Sequence, residues 1–343
     1  MTAQPNLNEF LSELDAQMSQ GIPANDPGAV IAVARDGEII FREAYGMASL
    51  ELEVELNPDH VFCIASATKP FTATAILALI DDGALELRDP AVDHLEGINL
   101  DPRVTIEHLL THTSGVPDLF DLDGHGADAQ HRAISPEALG AAADGVDLLF
   151  EPGTQHHYSN LGYALLGLIV ENAADQPLED FMRERIFERA GMERTMFGGD
   201  RRVIPSAVAN YTLEGDEFRR AEPLNYSWGY GLGNIFTTVD DLVAFDTALR
   251  SGMIIKPKTL STMRRTYQLE DGTTADHTRG WATMERRGLR FYHHGGGING
   301  WRASIVSIPD HDVFVAVLSN REEENTPVGN IALMVAARIA MMP

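Results

Sequence analysis

The sequence predicts an α+β protein in which an antiparallel β-sheet is built from both ends of the chain and flanked by helices, with a mainly helical stretch between. Three observations carry this expectation. Strand-like runs occur near both termini, helical periodicity dominates the middle, and the first two runs are joined by a tight hairpin signal. The chain accordingly divides into a sheet lobe from 1–75 and 225–343 and a mainly helical lobe from 76–224, with an active site expected between them.

Taken in order, residues 6–19 repeat apolar side chains at Phe10, Leu11, Leu14 and Met18, the period of an amphipathic helix, which is expected to cap a sheet edge. Ala29 to Tyr45 reads as two β-rich runs joined at Asp36-Gly37, a hairpin turn. Phe71 to Asp82 is apolar nearly all round and stops at Gly83, as a buried central helix with a glycine cap does. From Thr105 to Arg194 helical patterns alternate with Gly and Pro punctuation, an all-helical insertion. Strands return at Gly280–Met284, Leu289–His293, Ala303–Ile308 and Val313–Leu318, with a turn at Asp310–Asp312 and a last helix near Gly329–Met341. There is no internal repeat.

Composition bounds the function. The 343 residues are 44% hydrophobic and 22% charged, ordinary for a globular body that builds its core without staples. With 51 acidic against 26 basic side chains, the net charge of −25 repels polyanions, so neither nucleic acid nor an anionic membrane is expected as a partner. Residues 1–21 lack a basic, then apolar, leader pattern, and no run approaches the ~18 apolar residues of a membrane span. Cys63 is the single cysteine, which excludes an intrachain disulfide. A cytoplasmic location is the expectation, although a leader removed from the chain would leave no trace.

Three short motifs could carry chemistry. Ser66-Ala67-Thr68-Lys69 lies between a β-like run and the apolar helix, which places Ser66 at the helix N-terminus and Lys69 one turn on, on the same face. A serine hydroxyl needs an adjacent base, and a partly desolvated lysine near a positive helix end favours the neutral amine that serves as one. By itself the motif also fits an N-cap serine followed by a surface lysine. Tyr158-Ser159-Asn160 opens a second apolar helix, where a tyrosine can relay a proton and an asparagine can orient a substrate amide. The same triplet could equally be a turn with a capping asparagine. His293-His294-Gly295-Gly296-Gly297 ends a strand, and glycines on a sheet edge let substrate approach backbone N–H groups; a plain hairpin turn would look alike.

Together these motifs resemble the serine β-lactamase and penicillin-binding-protein superfamily, especially its class C-like branch of esterases, D-aminopeptidases and carboxypeptidases. The resemblance runs from about Pro27 to Asn320 and includes VTIEHLLTHTSGVPDL at Val104–Leu119, EPGTQHHYSNLGYALLGLIVE at Glu151–Glu171 and TTVDDLVAFDTAL at Thr237–Leu249. It implies the β-lactamase/transpeptidase-like fold, acylation of Ser66, proton transfer shared by Lys69 and Tyr158, and Asn160 holding Lys69 and the substrate amide. It also implies an oxyanion hole formed by the backbone N–H groups of Ser66 and Gly297.

One departure shapes the substrate expectation. Where the family often has Lys-Thr-Gly, this chain has His294-Gly295-Gly296, which replaces a permanent cation by a titratable imidazole and removes a hydroxyl. Esters or small amides without a free carboxylate at that end rise above penicillins, and His294 is expected to impose a pH effect near the imidazole value of about 6.5. The expected activity is a serine hydrolase acting on a small-molecule ester or amide. Alternatives are β-lactamase or D-Ala-D-Ala carboxypeptidase activity, acyl transfer, and an idle homologue that binds peptide or cell-wall fragments.

Other candidates are weaker. His108 and His112 at i and i+4, with His156-His157 and His293-His294, suggest a metal, but the glutamate of a zincin motif is missing, so structural histidines and no metal or other cofactor are expected. Gly229-Tyr230-Gly231-Leu232-Gly233 lacks nucleotide-binding spacing and reads as a cleft loop. Tyr226, Trp228, Tyr230 and Trp301 could wall a substrate pocket or pack in the core, and Cys63 reads as a core thiol. Oligomeric state is left open.

Overall fold

The computed structural model describes residues 6–199, 201–322 and 328–342. Its main sheet has six antiparallel strands: β1 (Ala29–Arg35), β2 (Glu38–Tyr45), β3 (Ala282–Arg286), β4 (Leu289–Ile298), β5 (Trp301–Ile308) and β6 (Val313–Ser319). Their spatial order is β3-β4-β5-β6-β1-β2, so the ends of the chain meet where β1 pairs with β6, Ile31 opposite Val317 and Val33 opposite Val315. At the β1–β2 turn, Asp36 and Gly37 both have positive φ, 56° and 80°, the backbone a two-residue type I′ hairpin requires.

Of the five longer helices, α1 (Leu7–Gly21), α4 (Val239–Ser251) and α5 (Val328–Ala340) pack on this sheet, while α2 (Lys69–Asp81) and α3 (Asn160–Ala174) pack on each other. Successive side chains of β1 and β6 point to opposite faces, and both faces are buried. Val30, Ala32, Ala316 and Leu318 face the layer containing α2, α3 and α4. Ile31, Val33, Val315 and Val317 face α1 and α5, through Phe10, Leu14, Val335 and Ile339. Double-sided burial is why these strands read as unbroken apolar runs instead of alternating ones. Helix α2 lies wholly inside, with every residue from Lys69 to Leu79 buried, and the chain leaves it through Gly83 at φ +78°.

Several expectations change. Helix α1 packs beside the edge strand β2, as expected, and also reaches over one sheet face, where Phe10, Leu14 and Met18 join its apolar cluster. The third strand begins at Ala282, two residues later than expected, because Gly280 sits at φ +94° in a turn closed by Thr278 N–H donating to the Trp281 carbonyl at 2.8 Å. Strand β4 runs on through the glycine triplet to Ile298. The middle of the chain holds helices at Ile106–Leu110, Pro136–Ala141, Asn160–Ala174 and Leu178–Met182, and residues before 225 also form a hairpin, Tyr211–Glu214 with Glu217–Arg220. That hairpin pairs in parallel with Arg321–Glu322. Its strands are short and rich in Glu and Arg, so no alternation marks them in the sequence. No helix among the described residues is long and apolar enough to cross a membrane.

The segment after β6 is tied down by one side chain. Asn320, fully buried, accepts from Gly28 N–H at 2.7 Å and donates to the carbonyls of Met47 at 3.0 Å and Ala209 at 2.8 Å. Removing it strands three buried backbone groups. Asn320→Ala is expected to lower stability by about 3 kcal/mol, read as a drop in the urea midpoint; a midpoint within error of the parent would contradict this role.

Candidate active site

Ser66 stands on a single 3₁₀ turn, Ala65–Thr68, between the short strand Phe62–Cys63 and α2. Ala65, immediately before it, has φ +46°, a left-handed conformation that an L-residue adopts at a cost and that turns the chain sharply from strand into helix. The serine is half-buried while its neighbours Ala65 and Ala67 are buried. A hydroxyl is thus presented at the rim of an otherwise closed turn.

Lys69 opens α2, so its side chain returns along the same face. It is fully buried, and its amine donates to three acceptors: Ser66 Oγ at 3.1 Å, Asn160 Oδ1 at 2.9 Å and the Leu232 carbonyl at 2.9 Å. Burial pushes its pKa down to about 7, against an opposing pull from Asp118. A neutral amine has two N–H groups and one lone pair. With the N–H groups on Asn160 and Leu232, the lone pair faces the Ser66 hydroxyl, the orientation a base needs.

Burial raises the Tyr158 phenol well above the usual range, and the Ser66 side chain pulls it the other way. The tyrosine therefore holds its proton and can pass one only in concert with a partner. Its ring lies 4.9 Å from the Lys69 amine and stacks on His112, centroids 4.4 Å apart and 30° inclined. His112 sits at φ +58° just past the helix that ends at Leu110, and its Nδ1 accepts from Ser159 N–H at 3.1 Å. The His112 carbonyl accepts from His157 N–H at 2.9 Å, so His112 grips the strand-like segment on both sides of Tyr158. Asn160 is the first residue of α3, capped by Ser159, and both its backbone N–H and its Nδ2 donate to Asp118 Oδ2, at 3.0 and 2.9 Å.

The glycine triplet forms the facing wall. Strand β3 pairs with β4 only as far as His293, so from His294 onward that edge of β4 has no strand beside it among the described residues. The three glycines serve different ends. A Cβ on Gly296 would stand 1.9 Å from the Ile64 carbonyl oxygen and 3.2 Å from Ala67 N, so only glycine lets β4 lie against the serine turn. Gly297 lies beside the Arg302 side chain, whereas Gly295 faces open space, its nearest neighbour 3.9 Å away.

His294 is buried, and its Nδ1 pairs with the Gly295 carbonyl at 2.7 Å. Its pKa lies well below 6.5, from burial first and then from Lys69 and His277. The expectation that it titrates near 6.5 is therefore corrected: the ring is neutral at physiological pH. Because Nδ1 must donate to the carbonyl, Nε2 is a lone pair, buried and without a partner. His277 joins the same group, 5.0 Å from His112 and 6.2 Å from His294, backed by His156 Nε2 at 2.9 Å from its Nδ1, and burial pushes it down to about 3.

The aromatic wall candidates separate. Trp301 is buried edge-on against Phe62 and Phe236, Trp228 donates its indole N–H to the Arg132 carbonyl, and Tyr230 packs over Gly167 of α3. These three sit in the core, and only Tyr226 is half-buried. Cys63 is a buried thiol whose pKa burial raises to about 12. His108 and His112 share no helix face because the helix stops between them; His108 instead bonds Tyr267 at 3.1 Å. Among the described residues no group of three or more His, Cys, Asp or Glu side chains could hold a metal ion.

Sequence reasoning missed Asp118, His277 and the Leu232 carbonyl, and named His112 only as a structural histidine. Asp118 and His112 lie inside the Val104–Leu119 run, where a proline followed by an aspartate signals a short helix cap, as observed at Leu119–Asp121. Nothing local marks His277 or a backbone carbonyl.

Comparison with known proteins gives the family of the chain. The family model described as Beta-lactamase matches residues 17–337. A penicillin-binding protein of Bacillus subtilis (strain 168) is 31% identical over 87% of this chain and 68% of its own length. A D-aminopeptidase of Gluconobacter oxydans (strain 621H) is 26% identical over 91% of this chain but 59% of its own, so the chain spans only part of that longer relative. Among solved structures, the octameric penicillin-binding protein homologue from Pyrococcus abyssi superposes with a TM-score of 0.82 at 26% identity, covering 97% of this chain and 77% of that one. A D-stereospecific amidohydrolase from Streptomyces sp. superposes at 0.80 and 24% identity, covering 97% and 98%, which establishes a shared fold.

Two outcomes follow from the wall of the site. Gly296→Ala is expected to destabilise by about 2–3 kcal/mol while Gly295→Ala stays within ~0.5, compared by thermal melts; equal effects would contradict the contact with Ile64. In NMR titrations the imidazole signals of His112 and His294 are expected to keep neutral-ring shifts as pH falls through about 6.5, and an inflection there would refute their burial as neutral rings.

Proposed function

The chain belongs to the beta-lactamase family, and from that premise we propose that it is a serine hydrolase that opens an ester or small amide through an acyl-enzyme on Ser66. The observation that carries this reading is the fully buried Lys69 amine, 3.1 Å from the Ser66 hydroxyl and neutral above about pH 7. Ser66 Oγ attacks the carbonyl and its proton passes to Lys69 Nζ. The tetrahedral oxygen is held by the backbone N–H groups of Ser66 and Gly297. The leaving group takes a proton through Tyr158, which recovers one from Lys69. Water then attacks the acyl-enzyme as the same pair accepts its proton, and Ser66 is regenerated.

The facing wall favours substrates without a carboxylate at that end. His294 presents a neutral lone pair in place of a cation. Arg302, beside Gly297, bonds the Ile298 carbonyl at 3.0 Å and the Trp301 carbonyl at 2.8 Å and is ion-paired to Glu322. With its ring buried and neutral, His294 offers no cation to a substrate carboxylate. Amides and esters of amino acids fit this better than penicillins, and the relatives named as D-aminopeptidases point the same way.

A fluorophosphonate probe is expected to label Ser66 in the parent and not in Ser66→Ala. Hydrolysis should rise with pH through about 7 as Lys69 loses its proton, and Lys69→Ala or Tyr158→Phe should slow it by about 10³-fold or more. A folded parent that resists the probe would refute the reading. Side-by-side assays of p-nitrophenyl esters, D- and L-amino acid p-nitroanilides and a chromogenic cephalosporin identify the scissile bond; a preferred cephalosporin would overturn the substrate class. Product analysis with an added amine or alcohol separates hydrolysis from acyl transfer.

A further inference from the structure

The three hydrogen-bond partners of Lys69 are all uncharged. When the lysine takes the Ser66 proton, an ammonium forms in a site that excludes water, and such a charge is tolerable only beside a compensating one. The groups around it do not supply it. The rings of Tyr158 and Tyr163 lie 4.9 and 5.5 Å away, with phenols that burial keeps protonated. His112, His277 and His294 couple to Lys69 as rings that burial and mutual repulsion hold neutral. The negative group that bears on it is Asp118, one residue behind Asn160 in the hydrogen-bond chain.

Asp118 is itself well held. It follows Pro117 and caps the turn Leu119–Asp121, its Oδ1 accepting from Phe120 N–H at 2.9 Å. Oδ2 then accepts from both Asn160 N at 3.0 Å and Asn160 Nδ2 at 2.9 Å. Since a carboxylate can only accept, it determines which end of the Asn160 amide turns toward it. The amide oxygen is left for Lys69 at 2.9 Å.

We propose that Asp118 is a positioning residue of the Ser66 site, orienting the Asn160 amide toward Lys69 and supplying through it the counter-charge for the ammonium formed during acylation. This rests on the proposed serine-hydrolase reading. The proton moves from Ser66 Oγ to Lys69 Nζ and back, while Asp118 exchanges none. The acid–base pair is therefore Lys69 and Ser66, and the carboxylate sets how readily that pair trades its proton.

The composition makes a direct test simple: the chain contains three lysines, Lys69, Lys256 and Lys258, and the last two are exposed. With ¹³Cε-labelled lysine, one of the three signals should titrate near 7. In Asp118→Asn the Lys69 midpoint is expected to fall by about one pH unit, and in Asp118→Glu to stay nearer the parent. The acid limb of kcat/KM should move down with it, with kcat reduced about 10–100-fold and KM little changed. If Asp118→Asn does not fold, Asp118→Ser, uncharged but still an acceptor for Phe120 N–H, carries the same measurement. An unchanged Lys69 midpoint in the folded variant overturns the proposal whatever the activity. Failure of the probe to label parent Ser66 refutes the hydrolase reading instead, and the lysine titration still answers for Asp118.

Discussion

Everything around the site depends on one constraint, an amine buried beyond the reach of water. Desolvation disfavours the ammonium and brings Lys69 into a range where it exchanges protons near neutral pH. Burial also strips the amine of solvent partners, so the protein must provide its own. It does so with the Ser66 hydroxyl one turn away and from two distant parts of the chain, the Asn160 amide at the start of α3 and the Leu232 carbonyl in the glycine-rich turn before α4. Each contact ties a separate segment to the first turn of α2.

The fold makes such burial possible by close backbone approach. Gly296 lets β4 rest on the Ile64 carbonyl, and Gly231 lets its turn pack against the Tyr163 carbonyl, where a Cβ would come within 2.9 Å. The Thr72 hydroxyl bonds the Gly231 carbonyl at 2.6 Å, which fixes the turn that offers Leu232. Behind these contacts lies an apolar helix enclosed on every side. A lysine at its first residue reaches the serine, the Asn160 amide and the Leu232 carbonyl.

Charge is distributed to match. The chain as a whole carries −25, yet the wall of the site is built from neutral imidazoles and protonated phenols. Like-sign coupling among His112, His277, His294 and Lys69 reinforces burial in holding the rings uncharged. Within that neutral enclosure the proton shared by Ser66 and Lys69 is the mobile charge, and under the proposed reading Asp118 is its anchor.

Much of this was legible in the sequence. The Asp36-Gly37 hairpin, the apolar α2 with its glycine stop, and the β4 to β6 runs are local patterns whose period reports burial directly. The S-x-x-K spacing is also local, because helical geometry brings residues three apart onto one face. Tertiary structure decided the rest. That α1 also reaches over a sheet face, that Trp228, Tyr230 and Trp301 are core, and that His294 is neutral depend on what packs against them, which composition and spacing do not encode. The acceptors of Lys69 at Asn160 and Leu232 lie 91 and 163 residues away along the chain. A pKa is set by the partners and the water a group keeps after folding, so one sequence could name the lysine while only the packed molecule decides that it can act as a base.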